Sequence, residues 1–580
     1  MANPEEGGRD TELVAKPSAI SHYDPVEHSP SLGWAFLAVG VPVLVVALLL
    51  AETRAKDAWV LQGVVPAFIL FGVLLAISLM VGQPELALLN AAIALGLLAI
   101  IPSVKYGFVY GEFDAIGHYS AALQIARTGS LTARSFYSEQ YAGTPLLHIF
   151  LAMTSLTSAL PVEIAIACTL FLEHFLILVL VVQSTRKLFP NMNRRLVVFF
   201  ALITLPVISS MTGTVFGLLM LAMLTYVLSM GLAHQPKMRY VVLTTILMIS
   251  LILSHMVTVT YFLAVIAAYA VSSYVIRAFP SLGIRSSSDH IVDLVPRFII
   301  LFLFWLAYVG ENLVYTIQGI TSELFLGLPI SLAAQQLPFT EVIYTFLLSQ
   351  SRLVFSVLAA VVASSIALVR RPRAALFRLY WWSLAVSVLM GGVIVLGYDT
   401  NNAYRFLAYA SLTAPFFLCY VISGRKISGP KSPTRMRIIK VVLFATLIVS
   451  MVATHPLTPL YPTAHGAPIL DDNDVNSIYA ISGLEYFSSV YSSERVITSH
   501  RIFTQLESLH PELMSQAYST IFPDLEYATS PTELKKELVI FDSGGKSGTA
   551  TLAMRVLTSN MTREIGVVYS NGFFYVGLAS

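Results

Sequence analysis

Long, nearly uncharged apolar runs separated by short polar turns dominate the chain, and they set its architecture before any single residue does. Such runs occur at 33–51, 58–82, 85–103, 162–184, 195–211, 213–233, 239–254, 256–276, 297–317, 352–369, 379–397, 404–423 and 438–454. About 20 apolar residues span the hydrocarbon core as an α-helix and satisfy their own backbone hydrogen bonds; the pattern predicts an all-α polytopic transmembrane bundle of about 13 helices. After residue 454 the pattern changes. Strand-like runs at ERVITSH, ELVIFDSG, EIGVVYSN and GFFYVGLA alternate with helix-like stretches at 501–519 and 531–537. That alternation predicts a small α/β domain over 455–580. Residues 1–32 are polar, carry Pro17, Pro25 and Pro30, and lack a basic segment followed by a short apolar core. They read as a disordered tail rather than a cleaved signal peptide.

Composition agrees with the membrane reading. Of 580 residues, 56% are hydrophobic and only 12% charged, with a mean hydropathy of +0.74, against roughly a quarter charged in a soluble chain. The net charge of +2 and the absence of basic runs interleaved with aromatics give no reason to expect nucleic acid as a partner. Cys168 and Cys419 both fall inside apolar runs, so they read as packing residues rather than a disulfide.

Charge sets the orientation. Five loops are basic: Arg186, Lys187, Arg194 and Arg195; Lys237 and Arg239; Arg277, Arg285 and Arg297; Arg370, Arg371, Arg373 and Arg378; and Arg425, Lys426, Lys431, Arg435 and Arg437. All five lie on one side, the cytoplasmic one, if the short apolar segment 145–160 is an interfacial or re-entrant helix instead of a span. Counting it as a span breaks the charge rule for every later loop. Arg54 and Lys56 then sit outside, against the rule. The membrane domain is thus 33–454, a multi-pass segment of a cell membrane with its N-terminus cytoplasmic, outer loops at 104–161 and 318–351, and an extracytoplasmic C-terminal domain. The sequon Asn560-Met561-Thr562 falls on that outer side.

Candidate chemistry gathers on the same face. In GEFDAIGHYSAALQIARTGSL, Glu112 and Asp114 follow a span directly, and Asp114 and His118 are four apart. On a helix beginning near Asp114 both project from one side. A carboxylate and an imidazole so placed can share a proton, orient an acceptor hydroxyl or hold a divalent metal. The plainer alternative is that Asp114 caps the helix and His118 is an interfacial side chain. His148 lies on the interfacial helix, His255 at a tight turn between two spans, and Asp399, Tyr404 and Arg405 in the short loop GYDTNNAYRF. Each could be an ordinary boundary residue. A guanidinium at headgroup level also suits phosphate or pyrophosphate. Glu173 and His174, adjacent in mid-span, read as structural.

This arrangement resembles the GT-C superfamily of multi-spanning glycosyltransferases that use lipid-linked sugars, among them protein O-mannosyltransferases, aminoarabinose transferases and oligosaccharyltransferases. GEFDAIGH is similar to their acidic loop start after a span, and YAGTPLLH to their Pro-containing juxtamembrane helix, with Pro145 and His148. SHMVTVTYF and YRFLAYASL are similar to segments of prokaryotic members. The resemblance covers 85–425 as architecture. Two spans precede the expected first one, no WWDYG-type signature is present, and no adjacent acidic pair opens the loop.

What the resemblance implies is transfer of a sugar from a polyprenyl-phosphate donor to a glycan, lipid or protein acceptor on the extracytoplasmic face, with inversion. Asp114 is then the base, with Glu112 and His118 beside it; Arg405, His255 and Tyr404 hold the donor phosphate; His148, Asp399 and Glu341 support the acceptor side. Loop 318–351 is long enough to close over such a site. No cofactor is implied beyond a divalent metal on Asp114 and His118. Two other classes compete. A transporter or lipid flippase would use polar residues deep in spans, for which only Glu173, His174 and Glu311 stand. A membrane assembly protein would work through its outer domain, where Asp471, Asp472 and Asp474 form an acidic cluster without the spacing of a calcium loop.

Overall fold

The computed structural model describes residues 84–106, 113–131, 143–189, 192–208, 213–232, 238–278, 294–309, 351–370, 375–396 and 400–423, with strands at 496–498, 521–522, 538–542, 565–570 and 574–579. The expected spans 33–51, 58–82 and 438–454, residues 318–350 of the expected outer loop and the sequon lie outside the described residues.

The described helices follow the apolar runs. They are α1 (Pro84–Tyr106), α2 (Phe113–Thr128), α3 (Leu146–Ser158), α4 (Val162–Leu188), α5 (Arg194–Thr204), α6 (Gly213–Leu232) and α7 (Met238–Ile252). Next come α8 (Met256–Ala278), α9 (Leu294–Val309), α10 (Ser351–Arg370), α11 (Ala375–Leu396), α12 (Thr400–Ser411) and α13 (Ala414–Ser423). Within them Val162–Leu188, Gly213–Met230 and Met256–Val275 are each long and apolar enough to cross a membrane, as in a helical integral membrane protein.

Two expected spans differ from the pattern. The run 195–211 is helical only to Thr204, about 16 Å of helix. Leu205, which caps it, is extended because the ring of Pro206 excludes the helical conformation from the residue before it. The run 404–423 is two helices, not one: α12 begins earlier, at Thr400, and the chain turns at Leu412 and Thr413. Pro415 stands in the first turn of α13, where its missing N–H costs nothing.

The core is one continuous apolar cluster running through α1 to α13. α1 meets α4 closely through Gly96: a Cβ there would stand 2.7 Å from the Phe171 ring and 2.8 Å from the Phe171 carbonyl oxygen. At the far end of α4, Glu85 reaches Arg186 at 3.6 Å and Arg194 at 2.5 Å, gathering the ends of α1, α4 and α5. Glu85 and Arg194 are exposed and Arg186 is half-buried, so these pairs register the helices more than they stabilise them. The opposite end of α4 is held by the Tyr119 hydroxyl, which donates to Glu163 at 2.7 Å from α2. Glu163 and Arg186 are separated by about 35 Å of helix, so the two clusters lie at opposite ends of the bundle.

Short α3 behaves as a helix lying against the bundle. It has 13 residues, buries Leu147, His148, Leu151, Ala152 and Ser155, and turns Phe150, Met153 and Leu156 outward. Ala159, with φ 55, ends it in the left-handed conformation, and Pro161 precedes α4.

Five strands, β1 (Val496–Thr498), β2 (Ile521–Phe522), β3 (Leu538–Asp542), β4 (Ile565–Ser570) and β5 (Phe574–Ala579), pair in the order β2-β1-β3-β5-β4. β1 runs parallel to β2 and β3, while β5 is antiparallel to β3 and β4. Four of them fall in the four strand-like runs; Ile521–Phe522, only two residues long, has no alternation to betray it.

Candidate functional site

Four separate segments bring chemistry to the Glu163 end of the bundle. The first is α2, which begins at Phe113, so Asp114 occupies its first turn and His118 the position one turn later. The side chain of Asp114, and all of Glu112, lie outside the described residues. The second is α3. Its entry is fixed by the main chain, since Leu146 N donates to Leu253 O at 3.1 Å. From α9, the Trp305 indole donates to Gly143 O at 2.9 Å. The third is the turn between α7 and α8, which carries His255, and the fourth is α12, which carries Arg405.

His118 Nδ1 and His148 Nε2 are 2.8 Å apart, and both residues are 1% exposed. Their rings lie 5.0 Å apart with planes tilted by 35°. One nitrogen donates and the other accepts, so the two neutral tautomers are correlated. Burial holds the His148 imidazole well below its ordinary pKa, and the neighbouring His118 lowers it further. His255, 8% exposed, is also held well below the ordinary value, by burial first, then by the Arg405 charge, then by His118. The same electrostatic coupling shows that Arg405, His255 and His118 share one neighbourhood. At neutral pH His148 and His255 are therefore uncharged, and Arg405 supplies fixed positive charge.

His255 is itself held in place. Its Nδ1 lies 3.0 Å from the Thr258 hydroxyl, which lies 2.8 Å from the Tyr409 hydroxyl on α12. Glycines make room for this contact. A Cβ on Gly213 would collide with the His255 ring, and one on Gly217 would stand 3.0 Å from the Thr258 Cβ. Gly213 and Gly217 form a G-x-x-x-G face that lets α6 approach the α7–α8 turn closely. Thr258, Tyr409 and these glycines carry no ionisable signal; the G-x-x-x-G spacing and the four-residue step from Arg405 to Tyr409 were the readable clues.

Tyr404 is half-buried against the apolar core, while Asp399, Glu341, Glu311 and the Asp471 cluster lie outside the described residues. His174 is a brace: its Nε2 accepts from Ile208 N at 3.1 Å, which leaves Nδ1 to donate to Leu170 O at 2.9 Å. Glu173 beside it is buried, and neither carboxylate oxygen has a hydrogen-bond partner among the described residues. Arg378, expected in a basic loop, is instead buried within α11 with its guanidinium 5.6 Å from the centre of the Tyr269 ring.

The divalent metal expected on Asp114 and His118 needs the Asp114 side chain, which lies outside the described residues. No group of three His, Cys, Asp or Glu among the described residues is placed to hold one. His118 and His148 also spend a nitrogen each on one another.

No protein-family model and no curated protein matches the chain. Among solved structures, it is similar to the archaeal oligosaccharyltransferase AglB from Archaeoglobus fulgidus, in complex with an inhibitory peptide and a dolichol-phosphate. That likeness covers 85% of this chain and 74% of the other, at 12% identity and a TM-score of 0.47. ArnT from Cupriavidus metallidurans in the apo state is similar over 85% of this chain and 97% of its own, at 11% identity and a TM-score of 0.45. The same ArnT bound to undecaprenyl phosphate gives 11% identity and a TM-score of 0.46.

Proposed function

We propose that this chain is a membrane glycosyltransferase that moves a sugar from a polyprenyl-phosphate donor to an acceptor hydroxyl at the extracytoplasmic face. The observation that carries the reading is the convergence of His118, His148, His255 and Arg405 from four distant segments at one end of the bundle. Three imidazoles and one guanidinium, with an acidic residue one turn from His118, make a site for an anion and a proton.

The donor phosphate binds Arg405 and His255. Asp114 takes the proton of the acceptor hydroxyl as its oxygen attacks the anomeric carbon from the side opposite the phosphate. The anomeric carbon–oxygen bond breaks, its electron pair stays on the phosphate, and configuration inverts. The leaving group is an anion from the start, so positive charge at Arg405 stabilises it without a strong general acid. The hydrogen-bonded pair His118–His148, whose first member stands one turn beyond the base, can relay a proton: one ring accepts it, passes its own across the shared bond, and the other ring releases one, so that both end neutral in the exchanged tautomers. In this reading Glu112 assists Asp114, Tyr404 assists Arg405 and His255 on the donor phosphate, Asp399 and Glu341 serve the acceptor side with His148, the sheet of β1–β5 belongs to the outer α/β domain, and residues 1–32 are the cytoplasmic tail.

The test is glycan and glycolipid profiling of a deletion strain complemented with wild type, Asp114→Asn or Arg405→Gln. Both variants should lose the product while reaching normal levels in the membrane. Unchanged glycans in Asp114→Asn would remove it from the base role, and unchanged glycans in both would remove the reading.

A further inference from the structure

The His255 imidazole has one nitrogen committed within the protein and one available to a ligand. Nδ1 is taken by Thr258, so Nε2 is the ligand nitrogen. Which nitrogen carries the proton depends on how the hydroxyls of Thr258 and Tyr409 are ordered. Thr258 has a single hydroxyl hydrogen and meets two partners, at 3.0 and 2.8 Å. If that hydrogen goes to Nδ1, the Tyr409 hydroxyl must donate to the Thr258 oxygen, and the histidine proton resides on Nε2. If it goes to Tyr409, Nδ1 carries the proton and Nε2 is bare. The first order makes His255 a donor toward an anion; the second makes it an acceptor that repels one.

Three observations favour a built device over an incidental contact. Thr258 and Tyr409 are both fully buried, so neither hydroxyl can turn to water. Gly213 and Gly217 lie directly against the His255 ring and the Thr258 side chain, where a Cβ on either glycine would collide. Tyr409 stands one turn beyond Arg405 on α12, so the guanidinium helix and the imidazole turn are tied by the same two hydroxyls.

We propose that Thr258 and Tyr409 are positioning residues that hold His255 in the Nε2–H tautomer and lock its turn to the Arg405 helix, so that imidazole and guanidinium bind the donor's phosphoryl oxygens as one unit. This rests on the phosphate site of the proposed transferase and adds two residues that never touch substrate. The first link, from Tyr409 to Thr258, fixes the proton order; the second, from Thr258 to Nδ1, fixes ring orientation. Burial first, and the Arg405 charge second, keep the imidazole neutral, so a single proton decides its role.

The experiment is titration of farnesyl phosphate, with farnesol as the phosphate-free control, into the full chain in lipid nanodiscs. Thr258→Val and Tyr409→Phe should weaken farnesyl phosphate binding about 3- to 10-fold, the scale of one hydrogen bond, and leave farnesol unchanged. Thr258→Ser, which keeps the hydroxyl, should restore wild-type binding. Nitrogen-15 histidine spectra, assigned by loss of the His255 signal in His255→Gln, should show Nδ1 unprotonated in wild type and protonated in part in Tyr409→Phe. Wild-type affinity in both Thr258→Val and Tyr409→Phe, or an Nδ1–H tautomer in wild type, overturns the proposal. If Arg405→Gln and His255→Gln also bind farnesyl phosphate as wild type, the phosphate site itself fails. Should Thr258→Val not fold, Tyr409→Phe and the spectra decide alone.

Discussion

His118 and His148, 30 residues apart in the chain, share a hydrogen bond of 2.8 Å in a place from which water is excluded. The bond couples the helix that carries Asp114 to the helix that lies against the end of the bundle.

Removing one ring therefore exposes the other. His148→Ala should cost about 1–3 kcal/mol of stability, the penalty of stranding a buried imidazole nitrogen, and should depress transfer further than stability explains. Thermal unfolding of the purified protein beside product formation per folded molecule separates the two. Equal losses in both would make the pair purely structural.

The glycine face makes a sharper test because its geometry leaves little slack. Gly213→Ala pushes a methyl into the His255 ring, and Gly217→Ala pushes one to 3.0 Å from the Thr258 Cβ. Each should destabilise by about 1–3 kcal/mol, as overpacking does. Gly392→Ala is the control: nothing lies within 4 Å of its added Cβ, and α11 should tolerate or welcome it. A melting temperature unchanged in Gly213→Ala would mean the contact opens more easily than its geometry implies.

Acid should weaken the fold. His148 and His255 have folded pKa values lowered from the ordinary 6.5, so the unfolded chain binds more protons than the folded one below that pH. Stability from these rings is complete above about pH 6.5 and falls as pH drops toward the lowered values, by at most about 1.4 kcal/mol per pH unit for each ring. Arg405→Gln removes part of the depression at His255 and should flatten the decline. Unfolding temperatures between about pH 7.5 and 5.5 read the slope; a protein equally stable across that range would contradict it.

His174 should behave differently from the three site histidines. It joins α4 to the chain after α5 by accepting from Ile208 and donating to Leu170. His174→Ala should lower stability by about 1–3 kcal/mol, with activity per folded molecule kept. A selective loss of activity would draw His174 into the mechanism.

Much of the architecture was legible because each apolar run had to close its own hydrogen bonds. The ends of α4, α6, α7 and α8 fall within a few residues of the runs that forecast them. The start of α2 at Phe113, which puts Asp114 and His118 one turn apart, was equally readable. Two breaks were missed although Pro206 and Pro415 stood in plain view, since a run's hydropathy ignores the one residue type that cannot continue a helix. Within the site, His118, His148, His255 and Arg405 were nameable as ionisable groups near span ends. Their meeting was not, because a contact across 30 residues has no local period. Thr258 and Tyr409 were missed for another reason: apart from the four-residue step from Arg405 to Tyr409, hydroxyls in apolar helices look like filler until a partner is found.

The hydrogen bond from Leu146 N to Leu253 O is made by main-chain atoms alone. Substitution of either side chain leaves both atoms in place, and only a proline at 146 would delete the donor. The spacing between His148 and His255 is thus insulated from sequence drift around it. Residues lining this end of the bundle can be exchanged to suit a new substrate while the frame carrying the two imidazoles keeps its dimensions.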